Sequence, residues 1–181
     1  MNLGLWLVTA LSLILLKAEP AYGTEQRLSP NIAVSITPFY ALVAAIIKNT
    51  DTPNPKLLVK PGASPHQYAL KPSDLQALDA ADIVIWAGPE YETFLTRPLE
   101  NLKQQLPHKQ IITLQSTPHL IRLPVREGGR WEAHQHDAHD HSHNHSNLID
   151  MHFWLDPENA ILMVDTIVQT LTRLDPRQAA Q

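Results

Sequence analysis

Four short apolar runs punctuate the chain: Ile32-Ala33-Val34-Ser35-Ile36, Leu57-Leu58-Val59, Ile83-Val84-Ile85-Trp86 and Ile111-Ile112-Thr113-Leu114. Each is brief, rich in β-branched residues and bounded by turn formers, which is how strands buried on both faces read. Between them, Phe39 to Lys48, Ser73 to Ala81 and Tyr91 to Leu106 carry apolar residues at helical spacing. Strand alternating with helix predicts an α/β fold with a four-stranded, mostly parallel sheet flanked by helices. Helix starts are marked locally. Ser73-Asp74-Leu75-Gln76 predicts a capping box, and Asp156-Pro157 predicts a capped start with proline at the first helical position. From there Ile161, Val164, Val168 and Leu171 share one face of a helix that should stop by Leu174, because Pro176 follows.

Two stretches break this alternation. Residues Leu3 to Leu16 are an apolar run of about 14 residues, short of the roughly 20 that span a bilayer. It is followed by Ala21-Tyr22-Gly23, small residues suited to cleavage before Thr24. Residues 1–23 are therefore expected to be a signal peptide, leaving 24–181 as one exported domain. The second stretch, 130–147, contains His134, His136, His139, His141, His143 and His145 with Asp137 and Asp140 and almost nothing apolar. It cannot bury enough surface to fold alone and reads as a disordered, His-rich flexible loop.

Composition narrows the chemistry. The 181 residues suit a single domain, and 14 Lys plus Arg against 18 Asp plus Glu give a net charge of −4, which argues against nucleic acid as a partner. With no cysteine, disulfides, thiolate metal sites and a lipid anchor on an N-terminal cysteine are excluded. Any soft-metal site must then use histidine. Neutral imidazole suits zinc, copper and nickel, so the six loop histidines form a candidate metal site of low selectivity.

Two further histidines stand apart. His66 lies in Lys60-Pro61-Gly62-Ala63-Ser64-Pro65-His66-Gln67-Tyr68, after a predicted strand, and ligand sites of open α/β sheets lie at the carboxyl ends of strands. It reads either as a ligand or as a surface-loop histidine. His152 lies in Asp150-Met151-His152-Phe153-Trp154-Leu155-Asp156-Pro157. On an extended segment Met151, Phe153 and Leu155 share one face and His152 and Trp154 the other, so His152 would project toward the His66 loop. A core histidine bonded to a backbone carbonyl is the competing reading. Glu90 and Glu92 are expected to be exposed carboxylates favoured by a helix start. No nucleophile arrangement or phosphate-cradling glycine loop is present, so catalysis is not expected.

The order of these pieces resembles a known family. Gly-Ala-Ser-Pro-His-Gln-Tyr leading into Lys-Pro-Ser-Asp, then Ala-Asp-Ile-Val-Ile-Trp-Ala-Gly-Pro-Glu, a His-rich loop and Met-His-Phe-Trp-Leu-Asp-Pro are similar to the zinc-uptake periplasmic binding proteins of ABC transporters, the ZnuA-like group. The resemblance runs from about Ile32 to Leu174. It implies the first of two α/β lobes, with the metal held between lobes by histidines and a carboxylate. His66 and His152 match the two ligands of that lobe, and the His-rich loop matches an auxiliary metal-collecting site. The second lobe, with the remaining ligands, is expected to be absent. The resemblance also implies zinc as the metal, a periplasmic location and a membrane permease as partner. Pro65 stands where some zinc-binding members place Glu, and the Pro-His pairing also occurs in manganese-binding relatives, so manganese is the alternative metal. The alternative function is a stand-alone His-rich periplasmic metal buffer or chaperone.

Overall fold

A computed structural model describes residues 29–126 and 149–178. The expected signal peptide, and the six loop histidines within 130–147, lie outside the described residues. Four strands form: β1 Ile32–Val34, β2 Lys56–Leu57, β3 Ile83–Trp86 and β4 Gln110–Thr113. They pair in the order β2-β1-β3-β4, every pair parallel. The hydrogen bonding continues past the strand ends, with Leu58 N donating to Val34 O and Val59 N to Ser35 O, both at 2.9 Å.

The connections are helical, α1 Thr37–Ile46, α2 Pro72–Ala80 and α3 Thr93–Gln105, and a fourth helix, α4 Pro157–Leu174, follows the last strand. The helices predicted from spacing are present, with boundaries shifted by one or two residues. Strand side chains alternate between two cores. Ile32, Val34, Ile83 and Ile85 pack with Phe39 and Val43 of α1 and with Met163 and Ile167 of α4. Ala33, Val84 and Trp86 point the other way, onto Leu78 of α2 and Leu95 and Leu99 of α3. Burial on both faces explains why these strands are continuously apolar. The order steps one way from β1 to β2 and the other way from β1 to β3. That reversal is the place where open sheets leave a crevice at their carboxyl ends.

Three local expectations need correction. The start of α2 is not capped by Ser73. Pro72 takes the first helical position, where its fixed φ is pre-organised, and the Asp74 carboxylate reaches back to accept the Lys71 N–H at 2.9 Å. The face of α4 that turns inward keeps only Leu171 of the expected Ile161, Val164, Val168 and Leu171, partly buried against the core. Asn159, Met163, Ile167 and Thr170 are buried, while Ile161 is 64% and Val168 39% exposed. The helix carries two apolar stripes, and buried Asn159 selects between them. Its Oδ1 accepts from Ile121 N at 2.7 Å, and its Nδ2 donates to Ile121 O at 2.8 Å and Phe153 O at 2.9 Å. Only one rotation of the helix satisfies all three, and an unsatisfied buried amide is costly.

The segment around His152 is not extended either. His152 sits at φ −85°, ψ 35°, and Phe153–Leu155 form a 3-10 turn closed by Leu155 N to His152 O at 3.0 Å. The alternation therefore fails: Phe153 is buried and Leu155 is 74% exposed. Two aspartates bring this about. Asp150 Oδ1 accepts the His152 N–H at 2.9 Å, and Asp156 Oδ1 accepts the Glu158 N–H at 2.8 Å, capping α4.

Candidate metal centre

The His66 loop begins with a turn that its sequence dictates. Lys60 O accepts from Ala63 N at 3.1 Å across Pro61 and Gly62, and Gly62 has φ +88°. Proline then glycine at these two positions is the type II pattern, which requires a positive φ at the second. A 3-10 turn over Pro65–Gln67 follows and carries His66. Tyr68 fastens the loop from beneath. Its hydroxyl lies 3.1 Å from Leu58 O and 2.9 Å from Asp74 Oδ2, so one proton joins the end of β2 to the first turn of α2. Burial, and then the Asp74 carboxylate, push the Tyr68 phenol up from its ordinary value.

His152 follows residues 127–148 in sequence. The flanks of that stretch are paired, Pro124 bridging Ile149 in antiparallel fashion and Asp150 N donating to Leu123 O at 2.9 Å. His152 Nδ1 then lies 2.7 Å from Asp150 Oδ1. The His152 amide first, and its ring second, hold the Asp150 carboxyl below the usual range. A ring nitrogen engaged in this way leaves Nε2 as the nitrogen open to other partners, and a carboxylate behind an imidazole fixes its tautomer and orientation.

The structure brings these two histidines together. Their ring centroids are 5.8 Å apart. Two imidazoles on one tetrahedral zinc, bonded at about 2.0–2.1 Å, would have centroids roughly 5 Å apart. The separation of the two rings is thus close to that of imidazoles sharing one ion. The Tyr91 ring packs edge-on against both, 4.6 Å from His66 and 5.3 Å from His152, and against Trp154 at 4.7 Å. Trp154 in turn meets Phe39 of α1 at 5.3 Å. His66 and His152 are exposed, so the rings sit at the rim of the crevice. Among the described residues no group of three or more His, Asp or Glu is arranged to hold a metal. What the chain presents here is a pair.

Sequence reasoning found the two histidines but missed their supports. Asp150 is legible afterwards as an Asp two residues before a His, a spacing that lets one carboxylate meet both amide and ring. Tyr91 gave no signal beyond being aromatic. Glu92 was read wrongly: Glu90 is exposed as expected, but Glu92 is completely buried. Its Oε2 accepts the Ala87 N–H at 2.6 Å, and its own N–H donates to Gly88 O at 2.9 Å. Burial pushes its carboxyl up to about 7, against the opposing pull of the Ser35 hydroxyl and the amides of Ala87 and Gly88. That hydroxyl is near enough to favour the charge, yet Ser35 Oγ and Glu92 Oε1 make no well-formed hydrogen bond.

A parallel sheet in the order β2-β1-β3-β4 with helices on both faces defines a single α/β lobe. The model of the family described as "Zinc-uptake complex component A periplasmic", ZnuA, matches residues 32–181. The chain is 36% identical over 174 residues to the high-affinity zinc uptake system protein ZnuA of Brucella abortus, covering 83% of this chain and 51% of that protein. It is 36% identical over 158 residues to ZnuA of Yersinia pestis, covering 82% and 48%. The Zn(II)-bound ZnuA-like domain of Streptococcus pneumoniae AdcA superposes with a TM-score of 0.59 at 24% identity, over 84% of this chain and 47% of that one, and shows the same fold. The chain belongs to the ZnuA family. It spans about half the length of the curated relatives it matches. No helix among the described residues is long and apolar enough to cross a membrane.

Proposed function

We propose that this chain binds zinc through His66 and His152, as one lobe (24–181, after a signal peptide at 1–23) of a periplasmic solute-binding protein for an ABC transporter permease. The observation that carries this is the 5.8 Å approach of the two rings, with Nδ1 of His152 held by Asp150. Two nitrogen donors favour zinc over manganese, which prefers oxygen. Two donors are half of a structural zinc site, so the remaining ligands come from outside the described residues, and binding by this chain alone is weak. His134, His136, His139, His141, His143 and His145 form an auxiliary site that feeds the pair. Binding and transfer of the ion, with no catalytic step, is the whole activity in this reading.

Zinc competition titration tests it, using the chain with all six loop histidines changed to Asn. One zinc bound, and lost when His66→Ala and His152→Ala are added, supports the receptor reading. If that six-fold variant binds nothing while the unaltered chain takes up several ions, the chain is a His-rich metal buffer and the receptor reading falls.

A further inference from the structure

The turn between β3 and α3 is held by a device that metal ligation does not call for. Gly88 adopts φ +148°, a backbone conformation open to glycine, and a Cβ built there would lie 1.8 Å from Gln115 Oε1. Just beyond it, the fully buried Glu92 folds its carboxyl back onto the Ala87 amide, while Tyr91 N and Glu92 N both donate to Gly88 O, at 3.3 and 2.9 Å. Burying a carboxyl is costly unless its hydrogen bonds compensate, and here only Oε2 has a well-formed one. Packing alone would be served better by an apolar residue of similar size. The residue carried by this clamp is Tyr91, whose ring touches His66, His152 and Trp154.

We propose that Glu92 is the positioning residue of the histidine pair: its buried carboxyl clamps the Ala87–Glu92 turn, and the turn seats the Tyr91 ring against both imidazoles before any ion arrives. The proposal rests on the metal-binding reading above for its purpose, though not for its geometry. Ligands held in place by a supporting shell lose less freedom when an ion binds, so affinity follows the rigidity of that shell. Glu92 need not be charged for this role. A neutral side chain of the same shape, able to accept from Ala87 N and to donate toward Ser35 Oγ, would hold the turn as well.

Imidazole NMR on the full chain, metal-free and with the six loop histidines changed to Asn, reads the positioning directly. Edge-on neighbours shift the His66 and His152 ring protons away from the values of exposed histidine. In Glu92→Ala both sets of signals move toward those values, and zinc affinity falls about tenfold, the scale of a lost outer-shell support. Glu92→Gln restores both. Tyr91→Leu reproduces the fall, and the Tyr91→Leu, Glu92→Ala double variant falls no further, because the two residues act in series. A folded Glu92→Ala protein with unshifted signals, or additive losses in the double variant, overturns the proposal. Should Glu92→Ala not fold, Glu92→Asp decides: its shorter side chain must draw the turn and move both signals, and unchanged signals overturn the proposal. Should the imidazoles respond while no variant, nor the parent, binds zinc, the positioning stands and the metal-binding reading is what fails.

Discussion

Asp150 and His152 are joined twice, amide to carboxylate at 2.9 Å and ring to the same oxygen at 2.7 Å. The first contact sets the backbone and the second sets the ring, so a single aspartate determines both where the imidazole stands and which of its nitrogens is left over.

Asp150→Ala therefore lowers zinc affinity at the pair by about tenfold, the cost of removing a carboxylate behind a ligating histidine. Asp150→Asn recovers part of that loss, since its amide oxygen can still accept from Nδ1. Competition titration in the background lacking the loop histidines measures both. Equal affinity in all three proteins would show that Asp150 does not orient the ring.

Glu92 makes stability depend on pH in the direction opposite to an ordinary carboxylate. Its folded value is about 7 against 4.5 for the free side chain, so the folded state holds the proton more tightly. The stabilisation is fully present below pH 4.5 and is lost as pH rises through 7. Across that window it amounts to about 3 kcal/mol. Glu92→Gln removes this slope and is the more stable protein at pH 8. Urea unfolding at intervals from pH 4.5 to 8 checks it, and a parallel slope in parent and variant sinks the assignment.

Asn159→Ala destabilises by about 3 kcal/mol, because it strips partners from Ile121 N–H, Ile121 O and Phe153 O inside the fold. It also removes what fixes the rotation of α4. Denaturant unfolding gives the loss, and a change below about 0.5 kcal/mol, the usual range for surface sites, would mean that packing alone sets the helix phase.

Gly88→Ala costs about 2 kcal/mol or more from backbone strain and from the displaced Gln115 side chain. The thermal midpoint reports it. A melting temperature equal to that of the parent would show that the turn relaxes freely.

The sheet was readable from the chain because each strand is buried on both faces, so four apolar runs betray it without any tertiary knowledge. His66 was readable because it follows a strand end of that sheet, and His152 because its short motif with Trp154, Asp156 and Pro157 stood out, although the extended backbone expected for it was not what brings it to His66. The phase of α4 was not. Ile161 and Val168 have the spacing of a core stripe, and the choice went to Asn159, a polar residue whose partners Ile121 and Phe153 lie elsewhere in sequence. His152 escaped its expected strand for a similar reason. Periodicity assumes extended backbone, whereas Asp150 and Asp156 fold those residues into a tight turn. Glu92 was misjudged because a carboxylate at a helix start is usually solvated, and only the packed structure shows the Ala87 amide waiting for it.

The pairing of Pro124 with Ile149 is a joint made of main chain, with Asp150 N donating to Leu123 O at 2.9 Å beside it. Such a joint asks nothing of the side chains at Leu123, Pro124 or Ile149 beyond the room to approach. Asp150 and His152, which follow it directly, thereby take their station from peptide groups, and the composition of the joint can drift while the imidazole keeps its address.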